Sequence, residues 1–590
     1  MLRPQQNDCR EFIALDGLWA HRADLADEGE ALGWHRGFEP EAWVAMPGSV
    51  NEQLAERGLR DHIGATWLMW RGQVPRRWAG RRLRLHFGSA DLLADVWLDG
   101  RHLGREAAPF LPFEHVAPFQ PGASFTLVVR LDGRLPEQHP LPGIRAEDYI
   151  AERRPRDEIF PAVRYDFFPY LGLHRGVCLC AEPPGGLRQV QVRSDYEPTQ
   201  RSGRLDVQVQ AGAAATLRAR VWSAQGVMLA QFEGAVEVGA GLSFTLEVTE
   251  ARAWSPESPV LHTLELSIHD GQTLLDEYRL QVGFRRVQVQ GTQLLLNGLP
   301  LLLRGFGMHE DFPVLGKGSC AALRVKDFEL LRWMGANSLR TSHYPYAEET
   351  LDEADRRGVL VISEIASVNL DFRRTTAATL ADHQGLVRRQ IARDGHHACV
   401  IAWSLTNEPG YLAEAEYQER AGPYFDALFA QARDLDPSRP MTAANVGRNG
   451  LDDPMFGHCD FLSLNRYHGW YDMPGQLGRA AAALATELRV LAERFGKPML
   501  LTEFGADAIP GMHASGDQLF TEEYQADFIA AYWRVLSAEP ACIGGQVWNF
   551  ADFRTAQHHR RVQFNHKGVF TRTRDPKMAA WRLRALWRGD

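Results

Sequence analysis

Val400-Ile401-Ala402-Trp403-Ser404-Leu405-Thr406-Asn407-Glu408-Pro409 is the stretch that decides the fold. A short, nearly continuous apolar run reads as a buried strand. It ends on a carboxylate anchored by packed backbone. Outward from it, similar runs at 301–305, 338–341, 360–364, 441–444, 461–464, 499–503 and 544–549 alternate with amphipathic stretches. One such stretch places Leu323, Leu330, Leu331 and Met334 on a common stripe, and others cover 386–393 and 424–434. Eight strands with helices between them over about 300 residues is the count of a (β/α)8 TIM barrel. A doubly wound sheet would also alternate, but neither G-x-G-x-x-G nor a P-loop motif is present.

Upstream, the period changes to two. Residues 81–87 and 94–98 alternate, 124–131 is a short β-branched and aromatic run, and Asp99-Gly100 signals a hairpin turn. The Pro183-Pro184-Gly185-Gly186 cluster then marks a boundary. Strand patterns resume at 205–210, 216–221, 244–248 and 263–268, until Gly283-Phe284-Arg285. The expected organisation is a jelly-roll β-sandwich over 1–185, an immunoglobulin-like β-sandwich over 186–284 and the catalytic barrel over 285–590.

The 590 residues carry 65 basic and 74 acidic side chains, a net charge of −9, with no basic stripe. A nucleic-acid partner is not expected. No apolar run approaches the ~20 residues of a membrane span. No signal-peptide pattern is read at the N-terminus, and the seven scattered Cys do not resemble a disulfide framework. The expected compartment is the cytoplasm. Cys178 and Cys180 form a lone C-x-C, better read as alternate strand residues than as a zinc site. The basic residues are nearly all Arg; five are Lys, at 317, 326, 497, 567 and 577.

In such barrels the chemistry sits at the C-terminal ends of the strands. There the chain places His309-Glu310-Asp311, Arg340 with His343, Glu364, Asn407-Glu408, Asn465 with Tyr467, Glu503, and Trp548-Asn549. Carboxylates dominate this rim. Facing carboxylates suit glycosidic bond cleavage, in which one protonates the leaving oxygen and the other attacks or stabilises the sugar carbon. Glu408 and Glu503 cap strands roughly across the barrel. Glu364 stands either as a third catalytic candidate or as a brace for Arg340. H-E-x-x-H is absent, so His309-Glu310-Asp311 reads as a brace for the rim and no metal is expected.

Several segments resemble the glycoside hydrolase family that includes β-galactosidase, β-mannosidase and β-glucuronidase. They are Asn297-Gly298-x-Pro300, the run from Arg304 to Asp311, Arg340-Thr341-Ser342-His343-Tyr344-Pro345 and Asn407-Glu408-Pro409. The resemblance implies that Glu408 is the acid/base and Glu503 the nucleophile. Within the family, three segments resemble its β-glucuronidases: residues 547–553, 464–471 and 565–572. The last carries Asn565-x-Lys567, a pattern that those enzymes use to grip a sugar carboxylate. The resemblance also implies substrate contacts from Asp166, His343, Asn407, Asn465, Tyr467, Tyr471, Trp548 and Arg561. The doubling Arg560-Arg561 leaves the register of that last residue open.

There are departures. Position 468 is His where a second Tyr is common, and Ser363 precedes Glu364 where Asp is common. About 35 residues separate Glu364 from the fourth strand, which leaves no room for a long active-site loop and implies an open leaving-group side. The chain ends soon after Trp587, so no extra C-terminal module is expected. The resemblance thus implies a retaining exo-β-glucuronidase. It would need no cofactor, would act on small glucuronides or glucuronate-terminated oligosaccharides, and would assemble as a dimer or tetramer. β-Galacturonidase activity, another β-glycosidase of the family and a non-catalytic carbohydrate-binding protein are the alternatives.

Overall fold

The computed structural model describes residues 1–135, 139–141, 159–160, 163–411, 414–558 and 561–589. In the N-terminal block a six-stranded sheet runs in the order Ala42–Met46, Gly17–Ala23, Ala65–Gln73, Ser124–Asp132, Leu93–Leu98, Arg101–Glu106. It faces a five-stranded sheet built on Gly172–Glu182 and Arg82–Asp91. Leu68, Leu85, Phe87, Val96, Val129 and Leu179 fill the space between. The Asp99-Gly100 hairpin forms as expected. Leu98 pairs with Arg101, and both turn residues have positive φ, at 49° and 79°. Cys178 and Cys180 lie on Gly172–Glu182 and are free thiols.

The second block packs a three-stranded sheet on a four-stranded one. In Ser202–Ala211, Leu205, Val207 and Val209 are buried while Arg204 and Gln208 face water, the alternation of a half-buried strand. Trp254 donates to the Asp355 carbonyl at 2.8 Å, and Arg285 to the carbonyls of Ala398 and Val400 at 3.2 and 3.0 Å. The Trp254 bond fastens the block to the barrel, and those of Arg285 fix the junction between them.

The barrel closes through eight parallel strands: β1 Leu303–Met308, β2 Ser338–Thr341, β3 Leu360–Glu364, β4 Val400–Asn407, β5 Met441–Val446, β6 Leu462–Asn465, β7 Met499–Glu503 and β8 Cys542–Val547. Helices α1 Ala321–Met334, α2 Glu348–Arg357, α3 Ala377–Asp394, α4 Glu414–Leu435, α5 Leu477–Phe495, α6 Glu522–Ala538 and α7 Met578–Arg588 follow the other strands. Between β5 and β6 the expected helix is replaced by two 3-10 turns, Gly447–Asn449 and Pro454–Gly457. The stripe on α1 also differs from the sequence reading. Phe328, Leu331 and Met334 are buried with Asp327, while Leu323 and Leu330 are only half-buried. Asp327 faces inward because it pairs with Arg574 at 2.9 Å. No described helix is long and apolar enough to cross a membrane.

Candidate active site

The strand ends converge at one mouth. Glu408 follows β4 and is half-buried, with φ of 50°, a left-handed conformation that costs a non-glycine residue free energy and is found at functional sites. Its N–H donates to the Ala444 carbonyl at 2.9 Å, which ties the end of β4 to β5. Asn465, ending β6, donates to the Glu408 carboxyl at 3.0 Å. Burial, then the negative charge of nearby Glu503, push that carboxyl up to about 7.

Glu503 ends β7 in a different setting. Arg340, from β2, donates to one oxygen at 2.5 Å, and the Tyr467 hydroxyl donates to the other at 2.7 Å. The second arm of Arg340 reaches Glu364 at 2.7 Å. Glu364 is fully buried and also bonds His343 Nδ1 and Ser404 Oγ, both at 2.7 Å. Burial alone would raise its carboxyl, but Arg340, His343 and Ser404 outweigh it and hold it below the ordinary range. Of the two readings of Glu364, the geometry is that of a brace: Glu364 orients Arg340, which orients Glu503.

Asn407 accepts from Asn465 at 3.2 Å and from Arg340 at 3.4 Å. His343 stacks on Trp548 at 4.9 Å between ring centroids, 20° from parallel, which makes an apolar wall beside the carboxylates. His309, Glu310 and Asp311 turn to separate partners: the Tyr344 hydroxyl, the Ala347 N–H with Arg175, and Arg572 with Tyr170. Their role is to support the rim.

The remaining expected residues meet beside β7 and β8. Asp166, from the N-terminal block, accepts from Arg561 at 2.7 and 3.2 Å and from Asn565 at 2.8 Å. Arg561 also donates to the Tyr471 hydroxyl at 3.0 Å; Arg560 lies outside the described residues. Lys567 is not a free ammonium. It is fully buried and bonds the Asp507 carboxylate, with the Tyr467, Trp470 and Tyr471 rings 5.2–6.0 Å away. Burial alone would raise the Asp507 carboxyl, but Lys567, Arg561 and the His566 N–H hold it low. An ammonium has three donors, and Asp507 takes one.

Sequence reasoning missed Asp507, four residues after Glu503. It also missed Gln525 and Lys577, which hold the Asn565–Lys567 segment from behind. Gln525 donates to the Ala506, His566, Lys567 and Gly568 carbonyls at 2.9–3.4 Å. Lys577, buried, donates to the Ala508 and His566 carbonyls and to Asp552 at 2.8–2.9 Å. The scarcity of Lys was the available signal for Lys577. His468, at the position where a second Tyr is common, bonds Asp472 at 2.7 Å and Glu487 at 3.2 Å, an arrangement that raises its proton affinity.

The comparisons agree with this architecture. Residues 187–285 match the family described as "Glycosyl hydrolases family 2", and residues 287–589 match "Glycosyl hydrolases family 2, TIM barrel domain". A β-glucuronidase of Paenibacillus borealis is 38% identical over 100% of this chain and 98% of that protein. The β-glucuronidase of Homo sapiens is 34% identical over 99% and 92%. The structure of a β-glucuronidase from Ruminococcus gnavus in complex with D-glucuronic acid superimposes with a TM-score of 0.90 at 33% identity, covering 99% of both chains. The chain belongs to glycosyl hydrolase family 2.

Proposed function

We propose that the protein is a retaining exo-β-glucuronidase that removes terminal β-D-glucuronate by double displacement. The observation that carries the mechanism is the unequal setting of its two carboxyls. Glu408 holds a proton near neutrality, whereas Glu503 already receives Arg340 and Tyr467. Glu503 attacks the anomeric carbon as the bond to the leaving oxygen breaks, and Glu408 gives that oxygen its proton. Glu408, now a carboxylate, then takes a proton from water. The water oxygen attacks the same carbon, releases glucuronate and frees Glu503.

The uronate reading is supported by Lys567, of whose three donors Asp507 takes one among the described residues, beside the Asn565 amide, and by relatives named β-glucuronidase across the whole chain. The substrates are small glucuronides and oligosaccharides ending in glucuronate. The proposed compartment is the cytoplasm, and the proposed assembly is a dimer or tetramer, measurable by light scattering. Turnover of p-nitrophenyl β-D-glucuronide beside the matching galacturonide and galactoside tests the reading. The glucuronide should be hydrolysed fastest, with the β-anomer of the product formed first. Preference for another glycoside, or an α-product, would overturn it.

A further inference from the structure

Strand order sets the direction in which a leaving group departs. β4 and β8 are four strands apart in a closed eight-stranded barrel, so the end of β4 faces the end of β8. The uronate grip lies in the segments after β7 and β8. The group beyond the scissile oxygen therefore passes Glu408 and crosses the ends of β4 and β5.

Two side chains on that rim have no part in the double displacement. Tyr411 sits three residues after Glu408, to whose carbonyl its N–H donates at 3.3 Å. Arg448 comes after β5, and its guanidinium carbon lies 4.2 Å from the Tyr411 ring centroid. An Arg448 nitrogen also reaches the Tyr411 carbonyl at 3.4 Å. Both residues are exposed. Buried Asn449 joins the two turns by donating to the Pro409 carbonyl at 2.9 Å, which holds the pair in place relative to Glu408. Three other arginines are answered by carboxylates: Arg340 by Glu364 and Glu503, Arg561 by Asp166, Arg373 by Asp371. Arg448 has no carboxylate partner among the described residues. Its positive charge nonetheless acts on the Glu408 carboxyl, partly offsetting the push from burial.

We propose that Tyr411 and Arg448 form the leaving-group subsite and select glucuronides whose aglycone carries an anionic group, a carboxylate or a sulfate, near the scissile oxygen. The inference rests on the β-glucuronidase reading and adds the substrate class. A stacked guanidinium keeps its N–H edges for an anion while the phenol supplies contact area. Such a pair at an exposed site is worth a modest factor and is screened by salt.

The test compares kcat/KM for 4-carboxyphenyl and 4-carbamoylphenyl β-D-glucuronide at low ionic strength. A glucuronate-terminated disaccharide, with and without a sulfate on its second sugar, forms the other arm. The wild type should favour each anionic member by roughly three- to tenfold. Arg448→Gln should bring the ratio to about one, Arg448→Lys should retain part of it, and 0.5 M salt should erode it in the wild type. A wild-type ratio near one, or a preference that survives Arg448→Gln, overturns the subsite while leaving the glucuronidase reading intact. Hydrolysis of none of the glucuronides overturns both. Preference confined to one arm would assign the site to that anion source.

Discussion

The two sides of the barrel mouth differ in how their charges are answered. On the β7–β8 side each charged group has an opposite partner: Glu503 with Arg340, Lys567 with Asp507, Arg561 with Asp166. On the β4–β5 side, Glu408 receives one donor to its carboxyl among the described residues, the neutral Asn465. Arg448 there has no carboxylate partner among them. Paired charges hold side chains in one geometry, which suits a side that must position a sugar of fixed shape. A carboxyl without a cation on it retains a proton, which suits the side where a proton moves and the leaving group varies.

The largest expected effect comes from removing the paired carboxylate. Glu503→Gln should lower kcat by roughly 10⁴–10⁶ with little change in the thermal unfolding midpoint. A 2-fluoro glucuronide inactivator should label the wild-type peptide containing Glu503. A label on another carboxylate would break the assignment of the two sides.

Lys567→Ala should reduce kcat/KM for glucuronides by roughly two to four orders of magnitude, since an ion pair that loses a partner costs about 3–5 kcal/mol. Activity on the matching glucoside should fall far less. The variant should also unfold at lower temperature, because buried Asp507 loses its counterion, and adding Asp507→Asn should recover part of that stability. Equal losses on glucuronide and glucoside, with stability restored, would show that Lys567 supports the fold without reading the sugar.

Glu408→Ala should cost roughly 10²–10³ on alkyl glucuronides with poor leaving groups. It should cost little in the first step with an activated aryl group, and added azide should rescue the second step and yield the β-azide. A uniform loss without rescue would remove the distinction between the two sides.

The smallest effects concern pH. The proposed mechanism needs Glu408 protonated, so kcat/KM should fall as pH rises through about 7. Asn465 lowers that carboxyl, so Asn465→Ala should move this limb to higher pH. Glu503 raises it, so in Glu503→Gln a direct NMR titration of Glu408 should move lower. Opposite shifts would mean that the carboxyls do not sense each other as described.

The pattern of the chain was enough to place the barrel strands and their ends. Buried parallel strands read as apolar runs, and the residues just past the end of each run land at the barrel mouth. That is why Glu408, Glu503 and Asn465 were legible from order along the chain, whereas Lys567 was singled out only by the resemblance of the Asn565-x-Lys567 segment. The replaced helix between β5 and β6 was not legible, because a strand-to-strand step of that length accommodates a helix or turns equally well. The α1 stripe was misread because inward-facing Asp327 is justified only by Arg574, 247 residues away.

Which strand ends meet at the mouth was therefore determined by the sequence itself, since strand periodicity and chain order are local properties. Which charges meet there was decided only by the tertiary structure. Asp507 neutralises Lys567, Glu364 braces Arg340, and Arg448 rests on Tyr411 without a carboxylate among the described residues. Those pairings join side chains 24–60 residues apart in the chain. Ion pairing depends on separation in space and on burial, and both exist only once the barrel has closed.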